Sequence, residues 1–63
     1  MTGQQALKIV DRAMRAGMSR EDVASRLCVS IWAFRAWESV KRVNRATEAQ
    51  LVRLREELKG VGR

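Results

Sequence analysis

Most of the side chains able to do chemistry in this chain are cations. Its 63 residues include 13 lysines and arginines, 7 acids, no histidine, no tyrosine and a single cysteine, Cys28. A lone thiol without a histidine has no partner base, so nucleophilic catalysis is not expected. The sequence has no cluster of metal ligands and no glycine-rich phosphate loop, so we expect no enzyme activity, metal, cofactor or small-molecule ligand. The formal charge of +6 instead predicts binding to a polyanion.

The length bounds the organisation of the chain. Residues 1–63 are enough for one domain, and a domain this small has marginal stability unless a partner subunit adds to it. No run of apolar residues is long enough to span a membrane, and the N-terminus lacks the pattern of a signal peptide. We therefore expect a cytoplasmic protein without a membrane partner, and a single cysteine fits that setting.

The composition predicts an all-α fold. Proline is absent, good helix formers dominate, and no stretch alternates as a strand does. The predicted helices cover residues 3–16, 20–27, 31–40 and 48–59. Candidate N-caps precede them at Thr2, Ser19, Ser30 and Thr47. Glutamine follows both threonines after three residues, which predicts two capping boxes, and Gly17 is a stop signal for the first helix.

The stretch from Arg20 to Ser39 has the residue types that two helices joined by a tight turn require. Two helices that cross closely need a small residue at the crossing, and Ala24 supplies it. Val29 is an apolar plug for the turn, and Phe34 and Trp37 are two anchors three residues apart. Val23 and Leu27 give the first of these helices an inner face.

This set resembles the helix-turn-helix of the lambda-repressor and Cro-like transcriptional regulators. The pair Trp37-Glu38 is also similar to a frequent ending of that family's second motif helix. The resemblance implies a compact four-helix domain with a central helix-turn-helix, and a recognition helix near residues 31–40 that enters the major groove of double-stranded DNA.

Cys28 departs from the family pattern. The family usually has glycine at this point of the turn, where a positive φ is often needed. Either cysteine adopts that conformation at a cost of roughly 1 kcal/mol, or the turn differs slightly from that of the family. Free cysteine behaves as a small hydrophobe, so we expect Cys28 to be a buried small residue at the helix crossing and not a redox sensor.

The resemblance also implies which side chains contact DNA. The candidates for base readout are Ile31, Trp32, Arg35 and Ala36. The candidates for contacts with the DNA backbone are Arg20, Ser30, Lys41, Arg42 and Arg45. Arg35 can hold a guanine through two hydrogen bonds, or it can be a phosphate contact or a solvated charge. Ile31 and Trp32 can touch thymine methyl groups, and Trp32 can equally lie along the sugar-phosphate wall, pack on the domain or contact another chain.

Related proteins bind inverted repeats as two-fold dimers, which implies a homodimer here. Valines in the loop before the last helix and on or after that helix are the candidate interface residues: Val40, Val43, Val52 and Val61. Without a second domain to bind an inducer, the chain resembles the compact repressors of phages and mobile elements, including Cro-like proteins and anti-CRISPR-associated autoregulators.

Two other classes of function remain open. A protein-interaction module of the antitoxin or anti-repressor type would use Ile31 and Trp32 as an apolar anchor. An excisionase-like architectural factor would bend DNA with little base reading. The basic segment after Ser39 favours DNA over a purely protein partner, and the expected function is that of a dimeric repressor.

Overall fold

The computed structural model describes residues 1–61, with side chains for residues 1–60. This part of the chain folds into four α-helices and contains no strand, so the all-α prediction is confirmed. The helices are α1 (Gly3–Arg15), α2 (Arg20–Arg26), α3 (Ile31–Ala36) and α4 (Arg45–Val61). α1 is the central element, because it packs against both α4 and α2, while α2 packs against α3.

The first two helices begin where their capping residues predict. The Thr2 hydroxyl accepts a hydrogen bond from the Gln5 N–H at 3.1 Å, and the Gln5 side chain accepts one from the Thr2 N–H at 2.9 Å. Ser19 and Asp22 make the same reciprocal pair, at 3.1 and 3.5 Å. Both capping boxes satisfy amide groups that the first helical turn leaves without partners.

α1 ends in a Schellman motif at Gly17. The Gly17 N–H donates to the Met14 carbonyl, and the Met18 N–H donates to the Ala13 carbonyl, both at 3.1 Å. Gly17 has a φ of 107°, a left-handed conformation that glycine adopts without a Cβ penalty. The predicted stop signal therefore has a clear physical basis.

α2 ends in the same motif with a cysteine at the corresponding position. The Cys28 N–H donates to the Ser25 carbonyl at 3.2 Å, and the Val29 N–H donates to the Ala24 carbonyl at 3.0 Å. Cys28 has a φ of 57°, so of the two alternatives for this position the cysteine adopts the left-handed conformation. The prediction that Cys28 is buried is wrong: its side chain is exposed, because a left-handed residue after the helix points away from the crossing.

α3 is shorter than predicted. It ends at Ala36, and residues 37–39 form a turn in which the Ser39 N–H and hydroxyl both donate to the Ala36 carbonyl. The periodicity of the sequence extends to Val40, but the Val40 carbonyl accepts a hydrogen bond from the Gly3 N–H at 3.2 Å. That contact with the start of α1 holds the chain out of a helical path.

α4 begins three residues before the predicted start. The Asn44 side chain, and not that of Thr47, caps it: the Asn44 Oδ1 atom accepts a hydrogen bond from the Thr47 N–H at 2.8 Å. The Glu48 N–H then donates to the Asn44 carbonyl at 2.9 Å. Asparagine is at least as good an N-cap as threonine, so the earlier of two competing caps is used.

The core contains the apolar residues that the motif predicts. Ala24 is 4% exposed, Phe34 is 7% exposed and Trp37 is 6% exposed. The two aromatic rings have centroids 5.3 Å apart and are tilted by 53°, a favourable aromatic arrangement. Val29 is partly buried against this core, as a plug for the turn should be.

The N-terminal junction, where residues 1–3 meet residues 37–43, was not foreseen. The Gly3 N–H donates to Val40, and the Val43 N–H donates to the Met1 carbonyl at 3.1 Å. A Cβ atom at Gly3 would lie 2.0 Å from the Trp37 carbonyl oxygen. Only glycine permits this approach, which joins the start of α1 to the end of α3.

Within residues 1–61, no helix combines the length and the apolar character that crossing a membrane requires.

Candidate nucleic-acid interface

The α2–α3 unit presents α3 with one side in the core and one side in solvent. Phe34 and Trp37 point into the core. Ile31 is 39% exposed, Trp32 is 71% exposed, and Arg35 and Ala36 are also exposed. All four predicted base-readout residues therefore share the solvent side of α3. Since Trp32 is so exposed, it does not pack on its own domain.

Ser30 precedes α3 at the N-cap position, as predicted. Its backbone has the extended conformation of a cap, but its side chain makes no capping hydrogen bond. The hydroxyl is exposed beside the first turn of α3 and is free to contact an external acceptor.

A groove separates α3 from α1. This α1–α3 groove is lined from α1 by Leu7, Val10, Asp11 and Met14, and from the other side by Arg20, Ile31, Trp32, Phe34, Arg35 and Glu38. The structure thus brings Arg20 together with three of the four base-readout candidates. Ala36, although exposed, is not part of the lining.

The charges of the α1–α3 groove are mixed. Asp11 forms an ion pair with Arg15 at 3.1 Å, one helical turn away. Arg20 and Arg35 form no ion pair with any residue of the described part of the chain. Both guanidinium groups are therefore available to an external anion or hydrogen-bond acceptor.

Arg42 and Arg45 lie elsewhere. They line a separate hollow with Thr2, Gln5 and Glu48, on the side of the N-terminal junction. Lys41 is exposed and lines neither this hollow nor the α1–α3 groove. The residues predicted to contact the DNA backbone are thus divided between two parts of the surface.

Glu48 is the acidic residue of that hollow, and the N-terminal amine neutralises it. Its carboxylate accepts a hydrogen bond from the ammonium group of Met1. That hydrogen bond and the charge of the ammonium group lower the pKa of Glu48 below its ordinary value of 4.5, and the charges of Arg45 and Arg42 lower it further. The carboxylate therefore stays ionised and paired at neutral pH.

A second groove, between α1 and α4, continues from this hollow. Both are lined by Met1, Gln5 and Glu48, and the groove adds three cations: Lys8, Arg12 and Arg55. We call the combined region, with Arg42 and Arg45, the α1–α4 surface. The sequence reasoning did not assign Lys8 and Arg12 to a binding surface, although their spacing by one helical turn was a usable signal.

The predicted dimer residues have different environments. Val40 is 37% exposed and Val52 is 36% exposed, so both can meet another chain. Val43 is 9% exposed and belongs to the core of the single chain, so its assignment to a dimer interface is wrong. The side chain of Val61 lies outside the described residues.

In the described residues, no three histidine, cysteine or acidic side chains come together as a metal site would require. What the arrangement offers is a mixed apolar and cationic groove beside α3 and a cationic surface along α1 and α4. Comparison of the chain with protein-family models, with curated proteins and with solved structures found no match.

Proposed function

We propose that this chain is a sequence-specific DNA-binding regulator, a dimeric repressor that places α3 in the major groove of an inverted repeat. One observation carries the proposal. The helix after the tight turn is anchored by Phe34 and Trp37, while its other side exposes four residues to solvent: Ile31, Trp32, Arg35 and Ala36. A short helix with this division fits a major groove about 12 Å wide.

Arg35 has the leading role in base discrimination under this proposal. Its guanidinium group is unpaired, and the neighbouring Ala36 is small enough for a close approach to the bases. Two hydrogen bonds to a guanine are worth about 1–3 kcal/mol of discrimination.

The remaining exposed side of α3 is apolar, which suits thymine. Ile31, Trp32 and Ala36 have no charged group to match a base edge, but they can contact the C5-methyl group of thymine. The preferred site should therefore contain thymines next to the guanine that Arg35 contacts.

The test begins with selection of preferred duplexes from a random library. Arg35→Ala should lose about 1–3 kcal/mol on the selected duplex and flatten the preference at one base pair of each half-site. Arg53→Ala is the matched control, since it removes an exposed arginine that lines neither groove. Equal losses on selected and scrambled DNA would reduce Arg35 to a phosphate contact.

Deoxyuridine in place of individual thymines tests the apolar contacts, because the two bases differ only by the methyl group. The affinity for the duplex should fall when deoxyuridine replaces a thymine that faces Ile31 or Trp32. At a thymine that faces Trp32, the Trp32→Ala variant should bind the thymine duplex and the deoxyuridine duplex equally. Lys41→Ala should instead weaken binding to all sequences alike and lower the salt slope by about one.

The dimer is tested by sedimentation of the complex with the selected duplex. Two chains should bind with α3 helices about 34 Å apart, one turn of DNA. One chain per complete site at saturation would contradict the dimer.

A protein-interaction module is the second candidate, because Trp32, Ile31 and Met14 are exposed together at the α1–α3 groove. An apolar side chain as large as Trp32 in solvent is a typical anchor for a protein partner. If Arg35→Ala changed binding to no DNA at all, this candidate would replace the repressor.

A further inference from the structure

We infer that the α1–α4 surface is a second DNA-binding surface, so that one chain can hold two duplex segments at once. Its cations are Lys8 and Arg12 on α1, Arg45 and Arg55 on α4, and Arg42 before α4. The first duplex rests on the proposed function, whereas the second depends on these cations. Because Val52 lies on this surface, both duplexes can be bound at once only if the dimer contact uses Val40 and leaves Val52 uncovered.

The surface carries a large uncompensated charge. None of its five cations forms an ion pair within the described residues. Glu48 is the one carboxylate that lines it, and the ammonium group of Met1 already pairs with that carboxylate. Such a surface attracts phosphates and releases their counterions on binding.

Both helices contribute cations to this surface. Lys8 and Arg12 are one turn apart on α1, about 6 Å along the axis. On α4, Arg45, Val52 and Arg55 fall on one side of the helix at helical spacing. The cations therefore follow the groove between α1 and α4, and this arrangement matches a row of phosphates better than a single ion.

The chemistry of the surface favours a duplex over a protein as its occupant. Val52 is the only large apolar side chain on this surface that is at least 36% exposed in the described residues. The α1–α3 groove, in contrast, exposes Met14, Ile31 and Trp32. A protein partner gains more by covering the α1–α3 groove, and a polyanion gains more on the α1–α4 surface.

The second duplex is separate from the first because α1 stands between them. The residues of α1 that line the α1–α3 groove and those that line the α1–α4 groove are centred about 160° apart around the helix. A straight duplex against α3 therefore leaves Lys8 and Arg12 facing away from it.

The experiment uses two duplexes, one selected and labelled with a donor fluorophore, the other scrambled and labelled with an acceptor. The full chain should bring them together and give energy transfer. Lys8→Gln/Arg12→Gln should abolish the transfer, keep the affinity for the selected duplex within twofold, and lower the salt slope for scrambled DNA by about two. The matched control is Arg53→Gln/Lys59→Gln, which removes one lysine and one arginine from outside both grooves, breaks only the exposed ion pair of Lys59 with Glu56 within α4, and should retain the transfer.

A dimer with two recognition helices could also join two duplexes, so an Arg35→Ala background separates the two routes. In that background the remaining binding to scrambled DNA should still fall when Lys8 and Arg12 are replaced. If the binding falls, the inference of a second surface is supported independently of the proposed function. It then holds even if no preferred sequence exists and the repressor proposal is wrong.

Three results would overturn the inference. These are saturation of the wild-type chain by a single duplex, equal losses in the variant and the matched control, and loss of the selected duplex together with the scrambled one when Lys8 and Arg12 change. A fourth result would also overturn it. If polyglutamate at an equal concentration of charge displaced the scrambled duplex, the α1–α4 surface would be a site for an acidic protein segment and not for DNA.

Discussion

The N-terminal junction and the α2–α3 turn place different demands on the residue at their centre. At the junction, Gly3 has ordinary helical dihedral angles but no room for a side chain, because the Trp37 and Val40 carbonyls lie against it. At the turn, Cys28 has room for its side chain but a positive φ that suits glycine. Crowding by backbone atoms leaves no alternative to glycine, whereas a left-handed φ only adds a moderate cost.

Gly17 makes the difference clearer, because it occupies the same Schellman position as Cys28 and a Cβ there would meet nothing within 4 Å. The two turns therefore share their hydrogen bonds and their open surroundings, and differ in the residue. Four measurements test this difference between the junction and the turn.

The largest effect is expected at the junction. Gly3→Ala places a methyl group 2.0 Å from the Trp37 carbonyl oxygen, so either α1 or the end of α3 must move. We expect a loss of about 3 kcal/mol in the free energy of unfolding, measured by urea denaturation. Gly60→Ala is the control, because a Cβ there meets nothing, and its stability should equal or slightly exceed that of the wild type. A Gly3→Ala chain as stable as the control would show that the junction is not tightly packed.

The helix crossing beside the turn should show the next largest effect. Ala24 is 4% exposed and its carbonyl accepts the Val29 hydrogen bond that closes the turn. Ala24→Val should overpack the contact between α2 and α3 and cost roughly 1–3 kcal/mol. Thermal denaturation followed by circular dichroism measures this, with Ala36→Val on the exposed side as the control. Equal melting temperatures for the two variants would contradict a close crossing of α2 and α3 at Ala24.

A smaller change, of opposite sign, is expected at Cys28. Cys28→Gly relieves the left-handed conformation but adds backbone entropy to the unfolded chain, so the net gain should be about 0.5–1 kcal/mol. Gly17→Ala should lose about 1 kcal/mol for the reciprocal reason. Cys28→Ser keeps the Cβ atom and should leave the stability unchanged in the same urea titration. A loss on Cys28→Gly would mean that the cysteine side chain itself stabilises the turn.

The smallest effect is a pH dependence at the junction. Because the Met1 ammonium group lowers the pKa of Glu48 in the folded chain, this carboxylate contributes stability above the pKa it has when unfolded. The contribution is lost as the pH falls through the folded pKa. Melting temperatures between neutral and acidic pH should therefore converge for the wild type and Glu48→Gln, with the wild type higher at neutral pH. Parallel curves would contradict the ion pair.

The sequence predicted the parts of the fold that depend on local interactions. The capping box at Thr2, the N-cap at Ser19 and the stop at Gly17 placed α1 and α2 to within one residue at each end. The same reasoning extended α3 too far, because the Gly3 contact that ends it comes from a residue distant in the sequence. It also treated Val43 as a loop residue, since nothing local shows that the segment before α4 folds back onto the core.

The candidate site was predicted in part for the same reason. Residues on α3 share a side through helical periodicity, so Ile31, Trp32 and Arg35 were expected together and lie together. Their relation to α1 depends on packing angles that no local pattern encodes. For this reason Arg42 and Arg45, which follow α3 closely in sequence, lie with α1 and α4, away from the α1–α3 groove.

The two tryptophans have a practical consequence for every binding measurement on this chain. Tyrosine is absent, so near-ultraviolet fluorescence comes from Trp32 and Trp37 alone. Trp37 is 6% exposed and reports the integrity of the core, while Trp32 is 71% exposed and emits from water at the proposed contact. A quencher in solution should therefore extinguish the long-wavelength part of the emission first. Any partner that covers α3 should protect that part, and a partner that occupies only the α1–α4 surface should leave it as accessible as before. The intrinsic fluorescence of Trp32 therefore distinguishes a ligand bound at α3 from one bound on the α1–α4 surface.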